Sequence, residues 1–298
     1  MKAAPFEYSR AGDINEACAL LAADDGARAI AGGQTLVPMM AMRLARPTRL
    51  VDIARITALS HITKEDDAIA IGAATRQCLI ERDALIARTL PLMARAVPHI
   101  GHAATRARGT LGGSLAHADP AAELPLVAVT LDATVHYREG AEDGEMPAAE
   151  FFIGPTITAL PAGALLTAVR FPVWNGKVGV GFQEVNARRS DFAFASAAAQ
   201  VEFDDAGNAK RIAIGIGAVT DIPVRLEAAE AQLTGSALDE KAVRAAVTEA
   251  LADIDATEDL HASAAYRRRA AATLAVRAVR DAQAHAQAHA QGGKTDAH

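Results

Sequence analysis

The chain has 298 residues, a formal net charge of -6, 51% hydrophobic and 22% charged residues, the balance of a folded globular protein long enough for two domains. Net acidity and an aromatic content of 4% argue against nucleic acid as the main partner, because phosphate neutralisation needs a basic face and base stacking needs aromatic surface. No apolar run has the length of a bilayer-spanning helix, the first residues lack the apolar block of a secretory signal, and two cysteines, Cys18 and Cys78, are too few for a disulfide framework, a cysteine zinc site or an iron–sulfur cluster, so the expectation is a cytoplasmic protein with reduced thiols.

Asp13-Ile14-Asn15-Glu16 has the form of a capping box, and Ile14, Ala17, Cys18 and Leu21 then share one helical face. Cys18 therefore reads as a small core residue. Ala27–Ala31 alternates as a strand and runs into Gly32-Gly33; Val37–Leu44 is a short helix stopped by Pro47, and Leu50–Ile53 is the next strand. A second unit begins near Ile56, with a strand at Ala68–Gly72, a helix over Gln77–Ala87, another over Pro91–Val97, and a buried helix over Ala121–Leu131. Thr134–Tyr137 and Leu165–Phe171 read as strands, and the acidic stretch Gly140–Pro147 as a loop.

Pro172-Val173-Trp174-Asn175-Gly176 has turn chemistry and marks the main boundary. Three strands follow, at Val178–Val185, Ala193–Phe203 and Arg211–Val219, with a hairpin connection at residues 204–208. Helices then dominate, over Leu226–Leu233, Leu238–Leu251 and Ala264 to about Ala284, which suggests a small α+β domain. The division predicted is 1–55, 56–174 and 175–284, with a disordered low-complexity tail over 285–298. His285 and His289 in that tail are four apart, but no acid or cysteine accompanies them, so they are not read as a metal site.

Two glycine pairs carry the chemistry: Gly32-Gly33-Gln34-Thr35 and Gly112-Gly113-Ser114. Glycine permits positive φ and close backbone approach, and successive amides in a turn can hold an anion, with Thr35, Thr110 and Ser114 adding hydroxyls. Two such turns could grip a diphosphate from opposite sides. Neither pair fits the G-x-G-x-x-G or the phosphate-loop pattern, and either alone is equally an ordinary tight turn. The residues by themselves reach no further than a pyrophosphate binder.

Three longer stretches sharpen this. Residues 31–40 (AGGQTLVPMM), 108–123 (RGTLGGSLAHADPAAE) and 183–193 (QEVNARRSDFA) resemble, in order and spacing, the two flavin-binding motifs and the opening of the C-terminal domain of the FAD-binding medium subunit of molybdenum hydroxylases, the carbon monoxide dehydrogenase and xanthine dehydrogenase type. The resemblance implies an α+β fold: an FAD-binding domain of the vanillyl-alcohol-oxidase type in two subdomains, then a small α+β C-terminal domain with a three-stranded sheet. It implies an oxidoreductase subunit that relays electrons through FAD. Expected partners are a large molybdopterin subunit and a small subunit with two [2Fe–2S] clusters, in a dimer of heterotrimers, with an external electron acceptor.

By match to the motifs, Ala31, Gly32, Gly33, Gln34, Thr35 and Leu36 should hold the diphosphate. Thr110, Gly112, Gly113 and Ser114 should form the opposing wall. Asp119 falls where the family places an acid near the flavin, with a helix cap before Pro120 as the alternative. Ile100 and Leu166 would pack near the ring or adenine, or serve as plain core. Phe192 matches a position beside the isoalloxazine, where many relatives carry tyrosine, and could equally pack in the core. Arg188-Arg189 would face the flavin region, a partner or solvent, and His99, His102 and His117 would be polar lining or partner-facing. Ala107 stands where relatives often have asparagine. No side chain is assigned a catalytic or metal-binding role. The rival readings are a stand-alone flavin oxidase of the same fold and a non-catalytic nucleotide-binding assembly subunit.

Overall fold

The first strand, β1 (Glu7–Arg10), is polar and gives no periodic signal in the sequence. Helix α1 (Ile14–Ala22) starts where the capping box predicts: the Asp13 carboxylate accepts from the Glu16 amide at 2.8 Å, and the Glu16 carboxylate accepts from the Gly12 amide at 2.7 Å. Asp13→Ala is expected to cost about 1 kcal/mol, read as a lower urea midpoint at unchanged slope. Strand β2 (Ala27–Ile30), helix α2 (Leu36–Ala41) and strand β3 (Arg49–Asp52) follow. The three strands form a parallel sheet in the order β1-β3-β2, with Arg10 and Ile30 both opposite Asp52. Ala17, Cys18 and Leu21 bury the inner face of α1 beside Val51. Burial pushes the Cys18 thiol up, as for a core residue rather than a reactive one. The structure is a computed structural model and describes residues 2–292.

Strands β4 (Ile62–Lys64) and β5 (Ala68–Gly72) come next. The single helix expected over 77–87 is two, α3 (Gln77–Arg82) and α4 (Ala84–Thr89), because Asp83 between them is extended (ψ 122°). Helix α5 (Pro91–Ala96) has proline in its first turn, where a missing N–H costs nothing. Short α6 (Ala103–Arg106) and α7 (Leu111–His117) precede α8 (Glu123–Thr130), which is buried from Leu124 to Thr130. Strand β6 (Thr134–Glu139) turns through Gly140 (φ +58°) into β7 (Glu142–Pro147). The stretch read as an acidic loop is thus largely an edge strand; it shows no hydrophobic alternation because it is solvated on most positions. Helix α9 (Ala148–Phe151), strands β8 (Phe152–Gly154) and β9 (Ile157–Thr158), and β10 (Leu165–Pro172) complete this stretch, and β4, β5, β10, β6 and β7 form one five-stranded sheet in that order.

After the predicted break, β11 (Lys177–Asn186), β12 (Ala193–Phe203), β13 (Ala209–Gly217) and β14 (Val224–Arg225) form an antiparallel sheet in sequence order. The expected three-stranded sheet therefore has a fourth strand, too short at two residues to show a period. Helices α10 (Glu227–Leu233), α11 (Glu240–Ala252) and α12 (Ala264–Gly292) pack with it. Helix α12 corrects the tail reading as far as Gly292. Ala271, Ala275, Ala278, Ala282 and Ala286 form a buried stripe along it, and alanine is the strongest helix former, so the alternating Ala sequence continues the helix. Gly181 admits this close approach: a Cβ there would overlap the carbonyl oxygen of Ala278. Residues 293–298 of the predicted tail lie outside the described residues.

The chain forms two compact units. One holds the chain up to Asp83 with His102–Ala118 and Ala133–Phe171; the other holds Ala84–Gly101 and Asp119–Asp132 with the chain from Pro172 on.

Candidate functional site

The parallel sheet of the first unit ends in a cavity of about 490 Å³ at the carboxyl ends of its strands. Ala31, Gly32, Gly33 and Gln34 line it, together with Tyr8, Asp52, Arg76 and Arg108. The turn leaving β2 needs its glycines for two separate reasons. Gly33 has φ +69°, open to glycine without strain. Gly32 lies against a neighbouring backbone: a Cβ there would overlap the carbonyl oxygen of Arg108 and stand 2.9 Å from its carbon. The two sequence-predicted motifs, more than seventy residues apart, thus meet at Gly32 and Arg108.

Among the described residues, the amides of Gly32, Gly33, Gln34 and Thr35 donate to no protein acceptor. The Gln34 side-chain amide folds back to donate to the Gly32 carbonyl at 3.1 Å. Arg76 donates to the Arg108 carbonyl, which brings its guanidinium to the same cavity. Amides without a protein acceptor, in a turn that lines the cavity with Arg76 and Arg108, have the donor chemistry that an anion needs. Thr35 and Leu36 continue from this loop into α2.

The second glycine pair behaves differently, and its reading as a turn is corrected. Gly112 and Gly113 occupy the first turn of α7. The Gly112 amide donates to the Ala73 carbonyl at 2.8 Å, the Gly113 amide to Thr110 Oγ1 at 3.1 Å, and the Ser114 amide to the Thr110 carbonyl at 3.2 Å. These amides are used inside the protein. Gly112 is required for packing, since a Cβ there would stand 2.6 Å from that of Ala73. Thr110 is buried and caps the helix. Thr110→Ala is expected to cost about 1 kcal/mol by loss of that cap, measured by chemical denaturation. Sequence reasoning could not separate the two pairs, because both present Gly-Gly followed by a hydroxylated or amide residue.

The other residues singled out in the sequence divide between the units. Leu166 is buried in β10, opposite Tyr137 of β6. Ile100, Asp119 and Phe192 belong to the second unit. Ile100 is buried. Asp119 accepts from the Ala121 amide at 2.9 Å, a turn rather than the cap of α8, whose capping residue is Ala122. Phe192 is 71% exposed, which removes the core-packing alternative. Arg188 pairs with Asp191 at 3.2 Å on the surface. Among the described residues no group of three or more His, Cys, Asp or Glu could hold a metal.

Two features escaped sequence reasoning. The first is the Tyr8–Asp52 pair in the cavity: the Tyr8 hydroxyl donates to Asp52 Oδ2, the Ala54 amide donates to Oδ1 at 2.9 Å, and Arg10 stands 3.6 Å from Oδ2. Burial works against the charge, but Tyr8, the Ala54 amide and Arg10 together hold the Asp52 carboxyl below the usual carboxylate range. The sequence placed it inside the strand Leu50–Ile53; that it ends β3 and pairs with a tyrosine is seen only in the structure. The second is a polar cluster in the second unit. Glu184, 6% exposed, pairs with His99 Nδ1 at 3.1 Å and accepts from Asn186 at 2.9 Å, while its Oε2 is buried without a partner. Nearby Glu123 is pushed up to about 7 by burial, with Glu184 and Asp119 adding to the rise and its own amide and His99 opposing it.

Comparison with known proteins shows the family and the fold. Residues 4–174 match the family described as the FAD binding domain in molybdopterin dehydrogenase, and residues 181–282 match the CO dehydrogenase flavoprotein C-terminal domain. The chain is 37% identical to the 6-hydroxypseudooxynicotine dehydrogenase complex subunit alpha of Paenarthrobacter nicotinovorans, over 93% of this chain and 94% of that one. It is 32% identical to the carbon monoxide dehydrogenase medium chain of Hydrogenophaga pseudoflava, over 94% and 97% of the two. The solved carbon monoxide dehydrogenase from that organism superposes with TM-score 0.92 at 32% identity, covering 96% of this chain and 99% of the other. Quinoline 2-oxidoreductase from Pseudomonas putida 86 superposes with TM-score 0.91 at 32% identity and covers 96% and 99%. With its FAD-binding region matched over residues 4–174 and 94% of its length shared with a carbon monoxide dehydrogenase medium chain, the chain belongs to the FAD-binding medium subunits of the molybdenum hydroxylases.

Proposed function

We propose that this chain carries FAD as an electron relay in a molybdenum hydroxylase, taking electrons from [2Fe–2S] clusters of a small partner subunit and passing them to an external acceptor. The observation that carries the reading is the loop 32–35, whose four amides donate to no protein acceptor among the described residues and whose Gly32, Gly33 and Gln34 line the same cavity as Arg76 and Arg108. Gly32, Gly33, Gln34 and Thr35 would hold the diphosphate through their amides, with Ala31 and Leu36 shaping the loop ends. Thr110, Gly112, Gly113 and Ser114 would support that wall by packing and capping. Asp119, Ile100, Leu166 and Phe192 would meet the rest of the flavin, Phe192 as a shield near its ring. Bound FAD supplies the redox chemistry, and the chain's own residues bind and orient it.

On this reading the fold is of the vanillyl-alcohol-oxidase type, with subdomains 1–55 and 56–174 and a C-terminal domain over 175–284. The assembly is a cytoplasmic dimer of heterotrimers with a large molybdopterin subunit. Purification of the chain with its partners should yield FAD, not FMN, on acid release, and substrate added anaerobically should bleach the blue flavin absorbance only when the iron–sulfur subunit is present. Turnover of small substrates by the chain alone would favour a flavin oxidase instead.

A further inference from the structure

We propose that Asp52 is the residue that recognises the ribose of the ligand's ADP half, accepting a hydroxyl hydrogen and rejecting a ribose that carries phosphate. The inference rests on the FAD reading above and adds a specificity-determining residue to it. Three placements lead to it. First, Asp52 ends β3, and β3 pairs in parallel with β2, whose end carries the free-amide loop; Ile30 and Asp52 are register partners. An acid on the strand beside a phosphate-binding turn, at the carboxyl end of a parallel sheet, lies one nucleoside's reach from the phosphates. It also follows Gly32 by 20 residues, the spacing at which an unrelated dinucleotide fold places its ribose acid. Second, Asp52 lines the same cavity as Gly32, Gly33 and Arg76.

Third, Asp52 is oriented in advance. Oδ1 is held by the Ala54 amide and Oδ2 by the Tyr8 hydroxyl, so the carboxylate plane is set before a ligand arrives. Each oxygen retains a second lone pair for a ribose hydroxyl. Burial opposes the charge, while Tyr8, the Ala54 amide and Arg10, half-exposed and 3.6 Å from Oδ2, together favour the ionised form. An ionised acceptor favours a hydroxyl donor and repels a phosphate at the same point.

The test uses the full chain stripped of flavin, with competition against FAD read by flavin fluorescence. The probes are ADP, 2′-deoxy-ADP, 3′-deoxy-ADP and adenosine 2′-phosphate 5′-diphosphate. In the unmodified chain, loss of one of the two hydroxyls should weaken ADP binding about tenfold or more, the range of a hydrogen bond to a charged group. In Asp52→Asn that difference should shrink to about threefold or less, and the 2′-phosphorylated nucleotide should gain about tenfold. Tyr8→Phe, at an exposed residue, keeps the carboxylate but frees its orientation. It should weaken ADP and the deoxy analogue that keeps the recognised hydroxyl about threefold and leave the analogue that lacks it unchanged, so it reads the same idea should Asp52→Asn fail to fold. If both deoxy analogues bind the unmodified chain as ADP does, or if Asp52→Asn keeps the unmodified ratios, the ribose role is overturned while FAD binding stands. If neither FAD nor ADP binds, the FAD reading itself fails and this inference with it.

Discussion

Replacing Gly32 by alanine is expected to leave a folded chain that no longer retains FAD. The added Cβ meets the carbonyl of Arg108, which is backbone and cannot rotate away. The strain must separate the 32–35 loop from the 108–109 segment, at about 2 kcal/mol, the middle of the overpacking range. For a domain of this size that lowers Tm by about 4–8 °C. The larger loss is functional. The free amides act only while they converge, and losing two or more anion contacts weakens binding about a hundredfold. The measurement is the flavin-to-protein ratio of the purified variant, with thermal unfolding alongside. Gly154→Ala is the control: its Cβ would stand 3.7 Å from Ile157 Cδ1, an ordinary contact, and it does not line the cavity, so flavin content should change little. Full flavin content in Gly32→Ala would remove the first loop from the site.

The second large effect belongs to Glu123. Its carboxyl titrates near 7 in the folded chain against an ordinary 4.5, with burial the leading cause. A raised folded value means that the proton stabilises the native state. That stability is fully present below pH 4.5, declines as pH rises between about 4.5 and 7, and is gone above 7. At 1.36 kcal/mol per unit the full swing is roughly 3 kcal/mol. Glu123→Gln, neutral at every pH, is therefore expected to be more stable than the unmodified chain by about 2–3 kcal/mol at pH 8 and equal to it at pH 4. Urea unfolding at the two pH values reads this directly. Equal stability of the two proteins at pH 8 would mean that water reaches the carboxyl and screens it. Glu184, whose Oε2 is buried without a partner, adds to this rise as a lesser cause than burial.

Much of the architecture was legible in one dimension because it depends on local rules. The Asp13 cap, the apolar face of α1, the proline at the start of α5 and the three long apolar strand-like runs of β11, β12 and β13 all announce themselves by composition and terminal chemistry. Elements stabilised by pairing alone did not: β1, β7 and β14 are polar or too short to alternate. The tail of α12 was misread because low complexity suggests disorder, while its alanines form a stripe packed within the second unit.

For the site the division is sharper. The residues 31–40, 108–123 and 183–193 pointed to the family through their resemblance to its motifs, and the matches over 4–174 and 181–282 show that family; glycine spacing alone reached only a pyrophosphate binder. Which amides are free, however, is a property of the folded chain. Gly32-Gly33 and Gly112-Gly113 look alike as letters, yet the second pair gives its amides to Ala73 and Thr110 while the amides of the first donate to no protein acceptor among the described residues. Likewise only the β1-β3-β2 order brings Tyr8 to Asp52. Hydrogen bonds between strands far apart in sequence leave no trace in either strand's own pattern, so tertiary structure alone decided which polar groups remained to do chemistry.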